Sequence, residues 1–265
     1  MLGPNTDPLV GIDGKTLKHS GVHLAGAIGL SPHRCLGVEP VAVKSNEIPA
    51  TQKLIGRAPI LPSQMVSLDA MNTKHHTVAQ ILFDEGPTIC CRSKATKTLC
   101  SRPPPHSCRR AFPPQVFRVE DNRSRRERRA LATRAIEPAQ LGLAGAAQPG
   151  WLHRQSGQDA KPEVEYLVTS RAAGKLSPEE FLNTDRQYWG VESGLHQRLD
   201  CSGFEDRLSV RHKGAVHILG LFTRVGVALF VRWAKNPRRV RDRTYPTWRE
   251  WNSGHRWHMI RQVVD

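Results

Sequence analysis

The sequence predicts an α/β fold, a mixed sheet with flanking helices and a β-rich insertion ahead of the helix that carries its third notable carboxylate. Three observations predict it. Through the first third, short apolar runs alternate with stretches of helical spacing. Near Ser101 the composition changes, and Pro103-Pro-Pro105 and Pro113-Pro114 exclude regular sheet interior. At Ser177-Pro-Glu-Glu180 a serine cap, a proline at the first helical position and a glutamate three residues on form a capping box, which opens a helix at Pro178. A chain of 265 residues can bury a sizeable core as one large domain or as one domain with an insertion.

Taken in order, residues 9–13, 22–28 and 36–43 are strand candidates, followed by a short helix over 47–57. Residues 64–69 form a fourth strand. A helix over 72–85, with Val78, Ile81, Leu82 and Phe83 apolar, ends at Gly86-Pro87, and residues 88–91 supply a fifth strand. Further strands are expected over 129–136, 151–155 and 164–168. The helix from Pro178 carries Trp189, Glu192, His196 and Leu199 along one face, although Gly190 and Gly194 weaken its regularity. Residues 215–233 are apolar but interrupted by His217, Gly220, Arg224, Gly226 and Arg232, which favours a buried core helix over a membrane span. The expected organisation is therefore 1–97 and 171–240 as two parts of one domain, 98–170 as a basic insertion, and 241–265 as a tail.

Charge narrows the partner class. A formal net charge of +15 points to a polyanion, nucleic acid first among them, but it does not separate an enzyme from a passive binder. The run Asn122-Arg-Ser-Arg-Arg-Glu-Arg-Arg129 places Arg123, Arg125, Arg126, Arg128 and Arg129 in a strip suited to phosphate oxygens, while a solvated loop is the plainer reading of any one of them. The six cysteines have no paired C-x-x-C spacing, so a zinc site is not expected, and Cys100, Cys108 and His106 form only a loose group. With no basic-then-apolar leader, a reducing cytoplasm is the expected compartment.

Three acids carry the chemistry: Asp13 in Leu9-Val-Gly-Ile-Asp-Gly-Lys-Thr16, Asp69 in Gln64-Met-Val-Ser-Leu-Asp-Ala-Met71, and Glu192 in Trp189-Gly-Val-Glu-Ser-Gly-Leu-His196. Two strand ends and a helix can aim three carboxylates at one point. Such a cluster can hold two divalent cations that activate a water or 3′-hydroxyl and stabilise the leaving oxygen of a phosphodiester. Either aspartate alone is more simply a turn acceptor or helix cap. A P-loop is excluded, because Pro8 or Leu9 stands where the first glycine is required.

The words Asp13-Gly-Lys-Thr-Leu-Lys18, Val43-Lys-Ser-Asn-Glu-Ile-Pro-Ala50, Ser67-Leu-Asp-Ala-Met71 and Trp189-Gly-Val-Glu-Ser-Gly-Leu-His-Gln-Arg-Leu-Asp200 occur in that order, with Glu205-Asp206 beyond. In wording and order the chain resembles the ISAs-type, H-repeat-associated insertion-sequence transposases of the DDE superfamily, from about Val10 to about Trp233. The resemblance implies an RNase H-like fold in a bacterial cytoplasmic protein that associates with the nucleoid on its DNA. It also implies the triad Asp13, Asp69 and Glu192 as catalytic residues and as ligands of Mg2+, with Mn2+ able to substitute. The implied partner is double-stranded DNA, as transposon ends and target, with a homo-oligomer in the complex and no membrane.

Lys15, Lys44, Asn46, Lys94 and His196 are candidates to support the metal-binding carboxylates or to contact DNA, and Lys18 is a further DNA-contacting one. For His196 a core histidine is an equally good reading. Asp200, Glu205 and Asp206 are either support for Glu192 or an acidic turn. Three features depart from the family. Lys94-Ala-Thr-Lys97 replaces a Lys-Gly-Asn-Gln word, Ser193 stands where asparagine is common, and twelve residues precede Asp13 where the family carries an N-terminal domain. The expectation is thus an N-terminally truncated transposase, with a catalytically inactive remnant that only binds DNA as the alternative. A junction or hybrid nuclease uses the same carboxylate logic, but the Asp-Gly-Lys-Thr and Lys-Ser-Asn-Glu-Ile-Pro-Ala words argue against it.

Overall fold

The computed structural model describes residues 7–30, 34–42, 46–84, 86–92, 115–121, 127–133, 142–156, 161, 163–210, 212–234, 244–255 and 257. In chain order these form β1 (Leu9–Thr16), β2 (His23–Gly29), β3 (Arg34–Pro40), α1 (Ile48–Ile55), β4 (Met65–Leu68), and α2 (His75–Ala79), which runs into a π-helical turn at Gln80–Asp84. There follow β5 (Thr88–Arg92), β6 (Gln115–Asp121), β7 (Glu127–Thr133), β8 (Gln148–Ser156), β9 (Glu163–Thr169) and α3 (Pro178–Tyr188). A second π-helical turn (Val191–His196), α4 (Gln197–Cys201), a 3-10 turn (Glu205–Arg207), α5 (Lys213–Ala234) and α6 (Tyr245–Gly254) complete the mixed α/β architecture. The chain divides into two compact units, Met1–Leu61 with Trp189–Asp265, and Pro62–Tyr188.

In the first unit β1, β2 and β3 form an antiparallel meander in which Asp13 lies opposite Gly26 and Ile12 opposite Ala27. Leu17, Val22, Leu24, Val38 and Val216 make one buried cluster, and each such side chain contributes about 1.5–3 kcal/mol on leaving water. Helix α1 starts where the Asn46 Oδ1 accepts the Ile48 N–H at 3.1 Å, with Pro49 in the first turn. Its Lys53, and Arg57 just beyond it, are paired with the buried Glu39 of β3. Helix α5 packs against β3. Its line Val216, Gly220, Arg224 and Val227 is buried at helical spacing. By length and composition this helix is apolar enough to cross a membrane. It is not buried all round as a core helix would be, since Ile218 and Phe222 are 56% and 69% exposed. Arg224, only 2% exposed, pairs with the buried Glu205 and donates to the Gly220 carbonyl at 3.0 Å.

The segment expected to be a tail contains α6. Thr244 caps it by accepting the Thr247 N–H, Pro246 follows in the first turn, and Tyr245 and Trp248 pack on Phe230 of α5 with ring centroids 5.5 and 6.0 Å apart. The helix expected to run unbroken past Glu192 instead ends at Tyr188, and residues 191–196 form a π-helical turn. Of the poor helix formers noted in the sequence, Gly190 immediately precedes this change of winding and Gly194 lies within it.

In the second unit the strand order is β4-β5-β9-β8-β7-β6; β4 and β5 are parallel and the remaining pairs antiparallel. β6 has no counterpart among the strands expected from sequence. Cys90 of β5 pairs with Thr169 of β9, so the strands β6 to β9 share the compact unit Pro62–Tyr188 with β4 and β5. The capping box forms as expected: Glu180 accepts the Ser177 N–H at 2.9 Å, and the Ser177 Oγ accepts the Glu180 N–H at 3.3 Å.

Candidate active site

The pleat of β1 sorts the first motif onto two faces, because successive side chains of a strand point opposite ways. Gly11, Asp13 and Lys15 face the segment 191–206. A Cβ on Gly11 would lie 2.8 Å from the Val191 Cγ2, so glycine lets the glutamate-bearing turn close onto the strand. The Asp13 Oδ2 is 3.7 Å from the His196 Nδ1, within ion-pair range but too long for a hydrogen bond. Lys15, 8% exposed, pairs with Asp200 and lies 3.6 Å from Asp206.

Burial, with the charges of Lys15 and Arg224 behind it, pushes the His196 imidazole down to about 4. At neutral pH it is therefore uncharged and is not a counter-ion to the Asp13 carboxylate. Glu192 is exposed on the same π-helical turn.

The other face of β1 presents Gly14 and Thr16. The Glu47 carboxylate, 6% exposed, fills the space a Gly14 side chain would need. Its Oε2 lies 3.1 Å from the His23 Nε2, and the His23 Nδ1 lies 3.0 Å from the Thr16 Oγ1. The chain Glu47, His23, Thr16 thus ties the Asn-Glu-Ile-Pro word to the Asp-Gly-Lys-Thr word. His23 and Thr16 were not among the expected site residues. Their meeting depends on Thr16 and His23 being cross-strand partners, a register that the spacing of residues does not reveal.

Asp69, in the second unit, follows β4. Its Oδ1 accepts the Asn72 N–H at 2.8 Å, and its carbonyl accepts from the Thr73 N–H and, at 2.6 Å, the Thr73 hydroxyl. Here the carboxylate caps a turn, the plainer role noted for an isolated aspartate. Nearby, burial first and the Asp69 charge among lesser causes push the Cys91 thiol up to about 12, so it is inert as a thiolate.

Of the supporting residues, Lys15 is engaged with carboxylates rather than presented to solvent, Lys18 is exposed and lies 3.5 Å from Asp206, and Asn46 accepts the Ile48 N–H ahead of α1. Arg129 lies at a strand position whose neighbours face α3, where its charge acts on the buried Asp185. The side chain of Arg128 lies outside the described residues. Lys44, Lys94, Arg123, Arg125, Arg126 and the Cys100, His106, Cys108 group lie outside the described residues.

Among the described residues, no three or more His, Cys, Asp or Glu side chains converge as a metal-binding group. What suits a divalent cation is the donor set on one face of β1, a half-buried carboxylate oxygen beside a neutral imidazole. Neither a family model nor a curated protein matches this chain.

Proposed function

We propose that the chain is a DDE transposase of the ISAs-type, H-repeat-associated group, with an RNase H-like fold, that cleaves transposon ends and joins the freed 3′-hydroxyl to target DNA. The observation that carries this reading is the packing of the glutamate-bearing segment on the aspartate-bearing strand: Gly11 against Val191, Asp13 beside His196, Lys15 on Asp200. Two of the family-like words, far apart in sequence, meet residue by residue on one face of β1.

Asp13, Asp69 and Glu192 would hold Mg2+ or Mn2+, and the cations supply an activated oxygen nucleophile and charge stabilisation at the phosphate. The chain's own residues prepare that site. Lys15 anchors the segment bearing Asp200 and Asp206 behind the strand, and neutral His196 adds no positive charge to compete with a cation next to Asp13. Double-stranded DNA as partner, oligomerisation on it and a cytoplasmic, nucleoid-associated location belong to the same proposal.

The test is cleavage and strand transfer on duplex DNA taken from the sequence flanking the gene, with Mg2+ or Mn2+. Metal-dependent products are expected from the native chain, and none from Asp69→Ala or Asp13→Ala, with duplex affinity nearly unchanged. Salt-sensitive binding without products from the native chain would instead identify an inactive DNA-binding remnant. Equal loss of binding and cleavage in Asp69→Ala would remove it from the metal site.

A further inference from the structure

Among the described residues Phe204 is the one non-glycine with a left-handed backbone, at φ +55° and ψ +29°. A bulky side chain is an outlier there, and such conformations persist where the surroundings hold them and gather at sites that grip ligands. Both sides of Phe204 are held. Before it, the Gly203 N–H donates to the Arg198 carbonyl at 2.8 Å, and a Cβ on Gly203 would lie 2.8 Å from the Leu199 carbonyl oxygen and 3.0 Å from the Thr223 Cγ2, so the chain is pinned between α4 and α5. After it, the Arg207 N–H closes the 3-10 turn on the Phe204 carbonyl at 2.9 Å, Glu205 is buried on Arg224, and Asp206 is held by Lys15 and Lys18.

The ring itself stays outside, 40% exposed. Two guanidinium groups lie against it, that of Arg207 from the same turn and that of Arg249 from α6, with their Cζ atoms 5.1 and 5.8 Å from the ring centroid. Both arginines are exposed. Of the acids beside them in sequence, Glu205 and Asp206 are already engaged by cations, and Glu250, the neighbour of Arg249 along α6, is exposed.

We propose that Phe204 is a wedge that enters between base pairs of duplex DNA and kinks it, while Arg207 and Arg249 hold phosphates beside the opened step. The inference rests on the reading of the protein as a DNA-processing enzyme and adds to it a place where the duplex is bent. A duplex is apolar between its stacked bases and anionic along its edge, and an aromatic ring bordered by guanidinium groups matches that order. Guanidinium groups pair with phosphate oxygens bidentately, and the net charge of +15 has the sign for this partner. The pinned backbone gives the wedge its purpose: a ring already held outward loses little freedom on insertion.

The experiment uses the full chain and a duplex of about 30 base pairs from the DNA flanking the gene, short enough that a sharp kink outweighs smooth bending. Energy transfer between dyes on its two ends reads the kink, and anisotropy reads affinity for the duplex and for an oligo-dT of the same length. The native chain should raise the transfer, as a kink of about 20–90° would. Phe204→Gly should fold, since glycine adopts φ +55° without strain, yet should lose the rise in transfer and bind the duplex several-fold more weakly. Phe204→Leu should keep most of the kink, because leucine also serves as a wedge. Arg207→Gln and Arg249→Gln should each lower the salt slope of duplex binding by about 0.9.

A folded Phe204→Gly chain that kinks the duplex as the native chain does overturns the wedge, and metal-dependent cleavage by the native chain would then leave the transposase reading standing. Kinking that depends on Phe204 without any cleavage upholds the wedge and removes the transposase activity. A Phe204-dependent preference for oligo-dT over the duplex overturns the duplex as occupant. No binding of the native chain to either DNA overturns the wedge and the proposed function together.

Discussion

Gly14 is where the first two motifs meet, and its missing side chain is the reason they fit. A methyl group there would overlap the Glu47 carboxylate, which is itself held by His23. Gly14→Ala should therefore destabilise the protein by about 1–3 kcal/mol, the usual cost of overpacking. Glu47→Ala in the same chain should recover part of the loss, and urea unfolding of the single and double variants measures both. Asp206 gives a pH-dependent counterpart. Burial raises its pKa, but the Lys18 N–H and the Lys15 and Lys18 ammonium groups outweigh that, and the net shift is downward. A carboxyl depressed in the folded state contributes stability above its unfolded pKa of about 3.9, and that contribution disappears as pH falls through the lower folded value. Asp206→Asn should thus cost stability at pH 6–7 and cost progressively less as the acid limb is reached in unfolding titrations. At this scale the sequence named Asp13 and, by its four-residue spacing from Glu192, His196 as candidates for one site, with a core histidine an equally good reading of His196; that His196 lies beside Asp13 comes from the structure. The sequence could not reveal that Lys15 is held by Asp200 and Asp206, because the length of a lysine stem allows many partners.

Helix α5 shows how much depends on one buried charge. Arg224 reaches Glu205 in a nearly dry setting, where burial pushes the glutamate's pKa up and the guanidinium pulls it back. Removing one partner leaves the other unpaired, so Arg224→Met should cost about 3–5 kcal/mol, while Arg224→Met with Glu205→Leu should cost clearly less. Denaturant midpoints of the three proteins decide it. At the end of the chain, Thr244→Ala removes the cap of α6 and should cost about 1 kcal/mol in the same assay. Elements with strong local signals were legible, among them the capping box of α3, the apolar run of α5 and the three-strand meander. β6 was not, because the proline-rich approach hides its alternation. Residues 241–265 read only as a tail, although Thr244-Tyr-Pro carries a cap and a first-turn proline. The π-helical turn at 191–196 was hinted at by two glycines, but a change of winding depends on what the turn packs against, here β1.

For the molecule as a whole, the excess of 39 lysines and arginines over 24 acids should make duplex affinity fall steeply with salt. Each phosphate contact should contribute about 0.9 to the slope of log K against log salt, and a salt titration of the native chain on duplex DNA reads how many there are. The division into two units was not legible, because it rests on the pairing of β5 with β9 rather than on any linker composition. It also imposes an order on synthesis. Pro62–Tyr188 is continuous and can fold as soon as it leaves the ribosome, whereas Gly11 and Lys15 must wait for Val191 and Asp200. At a synthesis rate of about 5–20 residues per second, the first strand waits roughly 9–35 seconds with its inner face uncovered. Nascent chains arrested before residue 189 should accordingly resist protease across the middle unit and be cut within β1–β3. The half-made first unit is then the point in the protein's life at which a chaperone matters most.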